Sequence, residues 1–302
     1  MTASDSQDDR VLFHVEPEKR IATITLNNPQ QRNSYDAAMR DAVARCLDQV
    51  ADDDDLTVVL LRGVDEVFST GADMNNAYGW YGQRSAQAPD GQARPAKSRP
   101  SQRRRLAVDR RSFSFYHNLM GFPKVTVGEI CGYALGGGFE IALMTDISVI
   151  ARNTKVGMPA TRFLGPALGS LHMFFHRLGP VLARRLLLTG DIIEAEAIEH
   201  LGIFTETCDA GQARARARYW AEKAAKMPAD GVVIAKEAFR LVEQSQVYQG
   251  EEVASYLFHA FGTNLQFAPG EFNFVKTRAQ HGTKEAFRLR DEHFDVPEPP
   301  IS

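Results

Sequence analysis

The chain predicts an α/β fold. Short apolar runs rich in β-branched residues alternate with stretches of helical character, and small-residue or glycine-rich turns follow several of the runs. Alternation of that kind builds a parallel sheet with helices packed on it. After a polar leader, Ile21–Leu26 (IATITL) reads as a strand that ends in Asn27-Asn28-Pro29, a turn sequence. A helix is predicted over residues 37–50, and the acidic cluster at 52–55 reads as a solvated turn before the next strand. Residues 57–61 (TVVLL) are apolar without alternation, as expected of a strand buried on both faces.

That strand leads to FSTGADM at 68–74, where small residues leave backbone amides accessible. A second apolar run at 125–131 enters three glycines, Gly136, Gly137 and Gly138, ahead of a buried helix predicted to begin near Phe139. From residue 213 onward the pattern is mainly helical: Ala213–Ala225, residues 232–242, residues 250–264 with Val253, Leu257, Phe258 and Phe261 on helical spacing, and residues 283–293. The tail at 296–302 reads as extended. Residues 82–111 depart from this pattern. They are rich in Gln, Ala, Pro, Gly and Arg and carry nine Lys/Arg against two Asp, which predicts a solvated basic loop or a lid for an anionic ligand. RNA binding would call for interleaved aromatics or an RNA-binding motif, and neither is present.

Bulk properties narrow the class. With 302 residues, 44% hydrophobic and 24% charged, the chain fits one large domain with a helical appendage, or two modest domains. A net charge of −3 gives no overall bias toward nucleic acid or anionic membrane. The first ten residues are acidic and lack an apolar core, unlike a signal or transit peptide. No run approaches the roughly 20 apolar residues of a membrane helix, and a cytoplasmic location is expected. Cys46, Cys131 and Cys208 are widely spaced with no metal-ligand pattern, so reduced thiols and no metal are expected.

The chemistry concentrates in GYALGGGFE, residues 132–140. Glycines let the backbone approach a ligand closely, and a helix start offers unpaired N–H groups and a positive dipole end. That suits an oxygen that becomes anionic during a reaction. Glu140 follows in the first helical turn. The glycines do not form a dinucleotide fingerprint, because position 141 is isoleucine, and no GK[ST] follows for a P-loop.

FSTGADM followed some sixty residues later by GYALGGGFE resembles the enoyl-CoA hydratase/isomerase (crotonase) superfamily. So do IATITL with its Asn-Asn-Pro turn and Asn33, Leu187-Leu188-Thr189-Gly190 with Ala195-Glu196-Ala197 and Leu201-Gly202, and Glu285-Ala286-Phe287 with Arg290 and Phe294. The resemblance implies a spiral of repeated ββα units over residues 1–212 and a C-terminal helical region, 213–302, that builds a trimer or dimer of trimers. It implies an acyl-CoA thioester as substrate, with CoA entering as part of that substrate and no separate cofactor. By position, the N–H groups of Ala72 and Gly137 would receive the thioester oxygen, and Glu140 would act as acid/base. Asp73 and Met74 would lie along the CoA, while Phe287 and Arg290 would reach the nucleotide of a neighbouring subunit.

One departure matters. The second glutamate of a typical hydratase falls on Ala160, and no other Asp or Glu lies between Asp146 and Asp191. Alanine cannot move a proton. A lone carboxylate still serves double-bond isomerisation, thioester or C–C hydrolysis, or hydration with a second proton from a histidine, tyrosine or water. A CoA-ester hydrolase, a ring-cleaving enzyme and a non-catalytic acyl-CoA or RNA-binding protein are therefore the alternatives. Thr161 and Arg162 beside the vacant position, and Trp80, Tyr81, Tyr116, Tyr133 and His172, are candidate pocket residues. His117 and His176 are further acid/base candidates.

Overall fold

The computed structural model describes residues 8–76, 100–162, 170–262 and 266–297. Its centre is a six-stranded sheet in the order β1 (Val11–Glu16), β2 (Ile21–Leu26), β3 (Val58–Gly63), β4 (Val125–Ile130), β6 (Ile147–Ala151), β9 (Glu206–Cys208). β1 pairs with β2 antiparallel, and every later pair in this sheet is parallel. A smaller sheet of β5 (Tyr133–Leu135), β7 (Lys155–Gly157) and β8 (Ile192–Glu194) stands beside it. The edge strand β1 falls within the stretch read as a polar leader. Its alternating exposure, with Leu12 and His14 less buried than Val11, leaves only a weak apolar signal.

The sheet separates two apolar layers because alternate side chains point to opposite faces. Ala22, Ile24, Leu26, Val59, Leu61 and Ile150 join one core, and Ile21, Val58, Leu60, Val127 and Val149 join the other. On the first face lies α1 (Ala37–Asp52), burying Met39, Ala42, Val43, Cys46, Leu47 and Val50. Asp36 caps its start by accepting from Met39 N–H at 3.0 Å. Its end is closed by Asp53, whose N–H donates to Val50 C=O at 3.4 Å, and by Lys124. The buried ammonium donates to the carbonyls of Val50 at 2.6 Å and Asp53 at 2.5 Å, satisfying acceptors the helix leaves open.

On the opposite face lies α5 (Ala213–Ala225), with Ala213, Ala217, Ala221 and Ala225 buried at four-residue spacing against the strands. This packs α5 directly against the sheet. A stripe of alanines lets the helix sit close to the sheet, while its arginines bind outward to Glu206 and Glu16. Part of the segment expected as a basic loop is helical. Residues 102–111 open α2 (Gln102–Met120), capped by Ser101, and Arg105 and Asp109 are buried on it. Residues 82–99 of that segment lie outside the described residues.

Helix α3 (Gly137–Met144) follows β5 and is buried throughout its length. Helix α4 (Leu171–Thr189) is broken at Gly179, ahead of Pro180. Helix α6 (Ala229–Glu243) runs through a π-turn at Gln244–Tyr248 into α7 (Gln249–Gly262), which packs on α2 and α4. Val253, Leu257, Phe258 and Phe261 stay exposed, and Glu251, Ser255 and Ala260 are buried. Finally α8 (Phe274–His281) and α9 (Thr283–Phe294) fold back on their own chain, where Phe274 and Ala286 pack with Met74, Ala160, Phe272 and Phe287.

Asn33 locks the first turn of this scaffold. It has a left-handed φ of 55°, a region asparagine tolerates better than most residues. Its fully buried amide accepts from Asn28 N–H at 2.9 Å and donates to the carbonyls of Val64 at 3.1 Å and Val67 at 2.6 Å. Asn33→Ala is expected to cost about 2–4 kcal/mol, through three lost bonds that orphan the Asn28 N–H and the Val67 carbonyl, read as a lower midpoint in urea denaturation.

Candidate active site

Two turns meet above the parallel strands. In the first, Phe68 N–H donates to Cys131 C=O at 2.9 Å and Ser69 N–H to Tyr133 C=O at 2.8 Å, tying the turn to the β4–β5 connection. Ser69 Oγ donates to Asn33 C=O at 2.8 Å and accepts from Gly71 N–H at 3.1 Å. Tyr35 N–H then donates to Gly71 C=O and Asp73 N–H to Tyr35 C=O, both at 2.9 Å. This parallel bridge leaves the Ala72 N–H outside the ladder.

The second turn is Leu135-Gly136-Gly137. Gly136 adopts φ 55° and ψ −126°, a conformation suited to glycine. Its N–H donates to Gly157 C=O at 2.9 Å, and its carbonyl accepts from Phe139 and Glu140 N–H. Gly137 and Gly138, the first residues of α3, have no earlier helical carbonyl for their own N–H groups. A Cβ on Gly71 would lie 2.7 Å from the Gly137 nitrogen, and one on Gly138 would overlap the Ser69 carbonyl. The two turns are thus pressed together backbone to backbone, which brings the neighbourhoods of Ala72 and Gly137 to one place.

Glu140 is buried in the first turn of α3. Burial is the largest influence on its carboxyl and raises its pKa from 4.5 to about 7; the charge of Glu251 pushes the same way. The hydroxyls of Ser170 and Tyr116 and the imidazole of His259 pull it down. Tyr35 and Tyr116 share a short hydroxyl–hydroxyl hydrogen bond, and both hydroxyls press on Gly137, where a Cβ would overlap them. Burial drives both phenols well above their usual range, so both stay neutral.

Beside them is a polar seam between α2 and α7. Asp109 faces His259, with Oδ2 3.2 Å from Nδ1, and the imidazole meets Phe113 edge-on at 5.2 Å. Glu251 Oε1 accepts from Met173 N–H at 2.9 Å, and its Oε2 lies 3.7 Å from Nε2 of His117. Tyr35, Asp109, Ser170, Glu251 and His259 were not singled out by sequence. A signal exists in the spacing: Glu251, Ser255 and His259 fall four residues apart along one helical face, as do Arg105, Asp109 and Phe113 on the partner helix.

The other candidates divide. Tyr133 lines a cleft of about 450 Å³ with Leu135, Arg32, Lys155, Ile192, Ile193, Glu194, Arg290 and Asp291. The Arg32 guanidinium stands 5.0 Å over its ring. Phe287 packs on Phe274 at 5.0 Å, and Arg290 stacks on Phe287 at 4.8 Å. Phe287 thereby joins the apolar contact with Met74 and Ala160. Asp73 is a turn residue accepting from Asn75 N–H at 2.8 Å, and the Met74 carbonyl accepts from Arg278.

Ala160 lies half-buried under this C-terminal cluster. Thr161 and Arg162 are committed to the end of α4: Thr161 Oγ1 donates to Leu187 C=O at 2.6 Å and Arg162 Nε to Thr189 C=O at 2.8 Å. His172 packs against the backbone of Gly250, and His176 lies 4.0 Å from Glu243. Trp80 and Tyr81 lie outside the described residues. Among the described residues no group of His, Cys, Asp and Glu is arranged to hold a metal ion, and no helix is long and apolar enough to cross a membrane.

Known proteins share this architecture. A probable enoyl-CoA hydratase of Mycobacterium tuberculosis is 28% identical over 272 residues, 89% of this chain and 96% of that one. The 1,2-epoxyphenylacetyl-CoA isomerase of Escherichia coli is 29% identical over 274 residues, 90% of this chain and 98% of that one. The crystal structure of an enoyl-CoA hydratase from Mycobacterium smegmatis superposes with a TM-score of 0.80 at 27% identity, covering 96% of both chains. The sequence profile of the enoyl-CoA hydratase/isomerase family matches residues 16–284, and with the crotonase fold described above this chain belongs to that family.

Proposed function

We propose that the protein is an acyl-CoA-acting enzyme of the hydratase/isomerase type that works through a thioester enolate. The observation that carries this reading is Glu140, a buried carboxyl with a pKa of about 7, one helical turn from the Gly137 N–H and beside the Gly71–Ala72 turn. In this reading the thioester oxygen accepts hydrogen bonds from the N–H groups of Ala72 and Gly137. Glu140 takes a proton from carbon as negative charge grows on that oxygen. One such amide is worth about 2.7–4 kcal/mol of transition-state stabilisation in other enzymes. A base with a pKa near the working pH is both ionised often enough and basic enough to move a carbon-bound proton.

Two further features support it. Arg32, Lys155 and Arg290 outnumber Glu194 and Asp291 along the cleft beside Tyr133, and that positive balance suits a carrier bearing phosphates. The apolar side chains left exposed on α6 and α7, among them Ile234, Phe239, Leu241 and Phe261, suit association with further copies of the chain. The position of Ala160 keeps a second reading open, CoA-ester or C–C hydrolysis with Glu140 as base on water; it differs in releasing free CoA or a cleaved chain.

The test is incubation with saturated and unsaturated acyl-CoA thioesters in heavy water, followed by mass spectrometry. Deuterium is expected at the α-carbon, and Glu140→Gln is expected to slow its entry by roughly 10²- to 10⁴-fold while acyl-CoA binding persists. Absence of exchange from every thioester would contradict the reading.

The pH dependence has two signs. Proton abstraction needs the ionised carboxylate, so the exchange rate is expected to rise with pH through about 7. Stability runs the opposite way. A carboxyl whose folded pKa is raised from 4.5 to about 7 stabilises the fold fully below 4.5, and that contribution is lost as pH rises toward 7. Glu140→Gln does not titrate there, so above pH 7 it is expected to be more stable than the parent by about 3 kcal/mol relative to their difference at acid pH. Denaturant midpoints at acid and alkaline pH check this.

A further inference from the structure

Helix α4 begins without a cap of its own. Ser170 occupies the cap position at φ −118° and ψ 40°, yet its hydroxyl accepts from no first-turn N–H, unlike a capping serine. The Met173 N–H, a natural target of such a cap, is bonded at 2.9 Å to Glu251 Oε1 arriving from α7. A carboxylate suits that end of a helix dipole, and it relieves Ser170 of the task. The Ser170 side chain is fully buried, and its Oγ has no hydrogen-bond partner among the described residues. Oε1 of the neighbouring Glu140 is equally buried and equally without a partner. The serine hydroxyl stands beside that carboxyl and favours its charged form. Leaving two adjacent buried polar atoms unpaired is costly, and such atoms in native proteins are usually paired when the site is filled.

We infer that Ser170 and Glu140 together hold one oxygen at the reacting carbon, Ser170 donating to it and Glu140 Oε1 accepting from it. That oxygen must both accept and donate. A water molecule qualifies, and so does the β-hydroxyl of a 3-hydroxyacyl thioester, which is the same oxygen after reaction. In the hydration direction the water oxygen bonds Cβ and its proton passes to Glu140. The double-bond electrons move onto the thioester as an enolate. Glu140 then returns the proton to Cα, the electrons return with it, and the net change is addition of H and OH. Dehydration is the reverse. Ser170 thus supplies the hold on water while one carboxyl carries the proton both ways, which fits a chain with alanine at position 160.

The inference rests on the acyl-CoA reading, and the experiment separates the two. The full-length parent and Ser170→Ala are compared in heavy water on crotonyl-CoA (hydration), 3-hydroxybutyryl-CoA (dehydration) and butyryl-CoA (α-proton exchange), with melting temperatures recorded. Hydration and dehydration are expected to fall roughly 10- to 100-fold in S170A, the scale of one hydrogen bond in a charged site, and to fall further than exchange. The melting temperature of S170A is expected not to drop, whereas that of Glu251→Ala is expected to drop because α4 loses its cap. Three results overturn the inference alone: exchange and hydration falling by equal factors, S170A melting lower or failing to fold, or a parent that exchanges but neither hydrates nor dehydrates. A parent without exchange overturns the acyl-CoA reading and the inference with it.

Discussion

The structure depends on the contact between two backbone turns. Gly138 sits so close to the Ser69 carbonyl, and Gly71 so close to the Gly137 nitrogen, that neither glycine can carry a side chain without moving main chain. Main chain is the most expensive thing to move in a packed core. The contact is enforced from both sides: Ser69 is bonded through backbone and hydroxyl to Tyr133, Leu135 and Asn33, and Gly136 is bonded to Gly157 of the small sheet. The orphan N–H groups at the head of α3 are thereby fixed before any ligand arrives. Catalysis by electrostatic stabilisation needs donors that do not reorganise during the reaction.

The second constraint is the helical cover. Helices α2, α4 and α7 bring carboxylates, imidazoles and hydroxyls together in a region that burial would make hostile to any one of them alone. Some are matched, as Asp109 with His259 and Glu251 with the head of α4. Glu140 has an unpaired oxygen and a raised pKa. A buried carboxyl poised near neutrality costs stability, and such costs are concentrated where proteins do chemistry. The C-terminal helices α8 and α9 contribute the remaining wall, pressing Phe274 and Phe287 against Met74 and Ala160.

Much of this was legible in the sequence, for identifiable reasons. Strands β2, β3 and β4 are continuous apolar runs, and the glycine turn needs glycine at each contact, so both leave a local mark. Position 160 could be read as lacking a carboxylate because its spacing from Glu140 is short and unbroken. The polar seam was not read because its members are dispersed: Asp109 and His259 are 150 residues apart and meet only when α2 packs on α7. Helical spacing marked α7 as a helix but not which face it buries: the apolar stripe faces outward and the polar one inward. Thr161 and Arg162, expected as pocket residues beside Ala160, hydrogen-bond to carbonyls at the end of α4, partners that local sequence does not mark.

The proposed role of the two turns can be tested by infrared spectroscopy of a bound acyl-CoA carrying a ¹³C label at the thioester carbonyl. Two N–H donors fixed on that oxygen weaken the C=O bond. The account expects the labelled stretch to move to lower frequency on binding to the protein, and to move equally in Glu140→Gln, whose backbone donors are unchanged. A bound thioester whose carbonyl stretch stays at its value in water would contradict it.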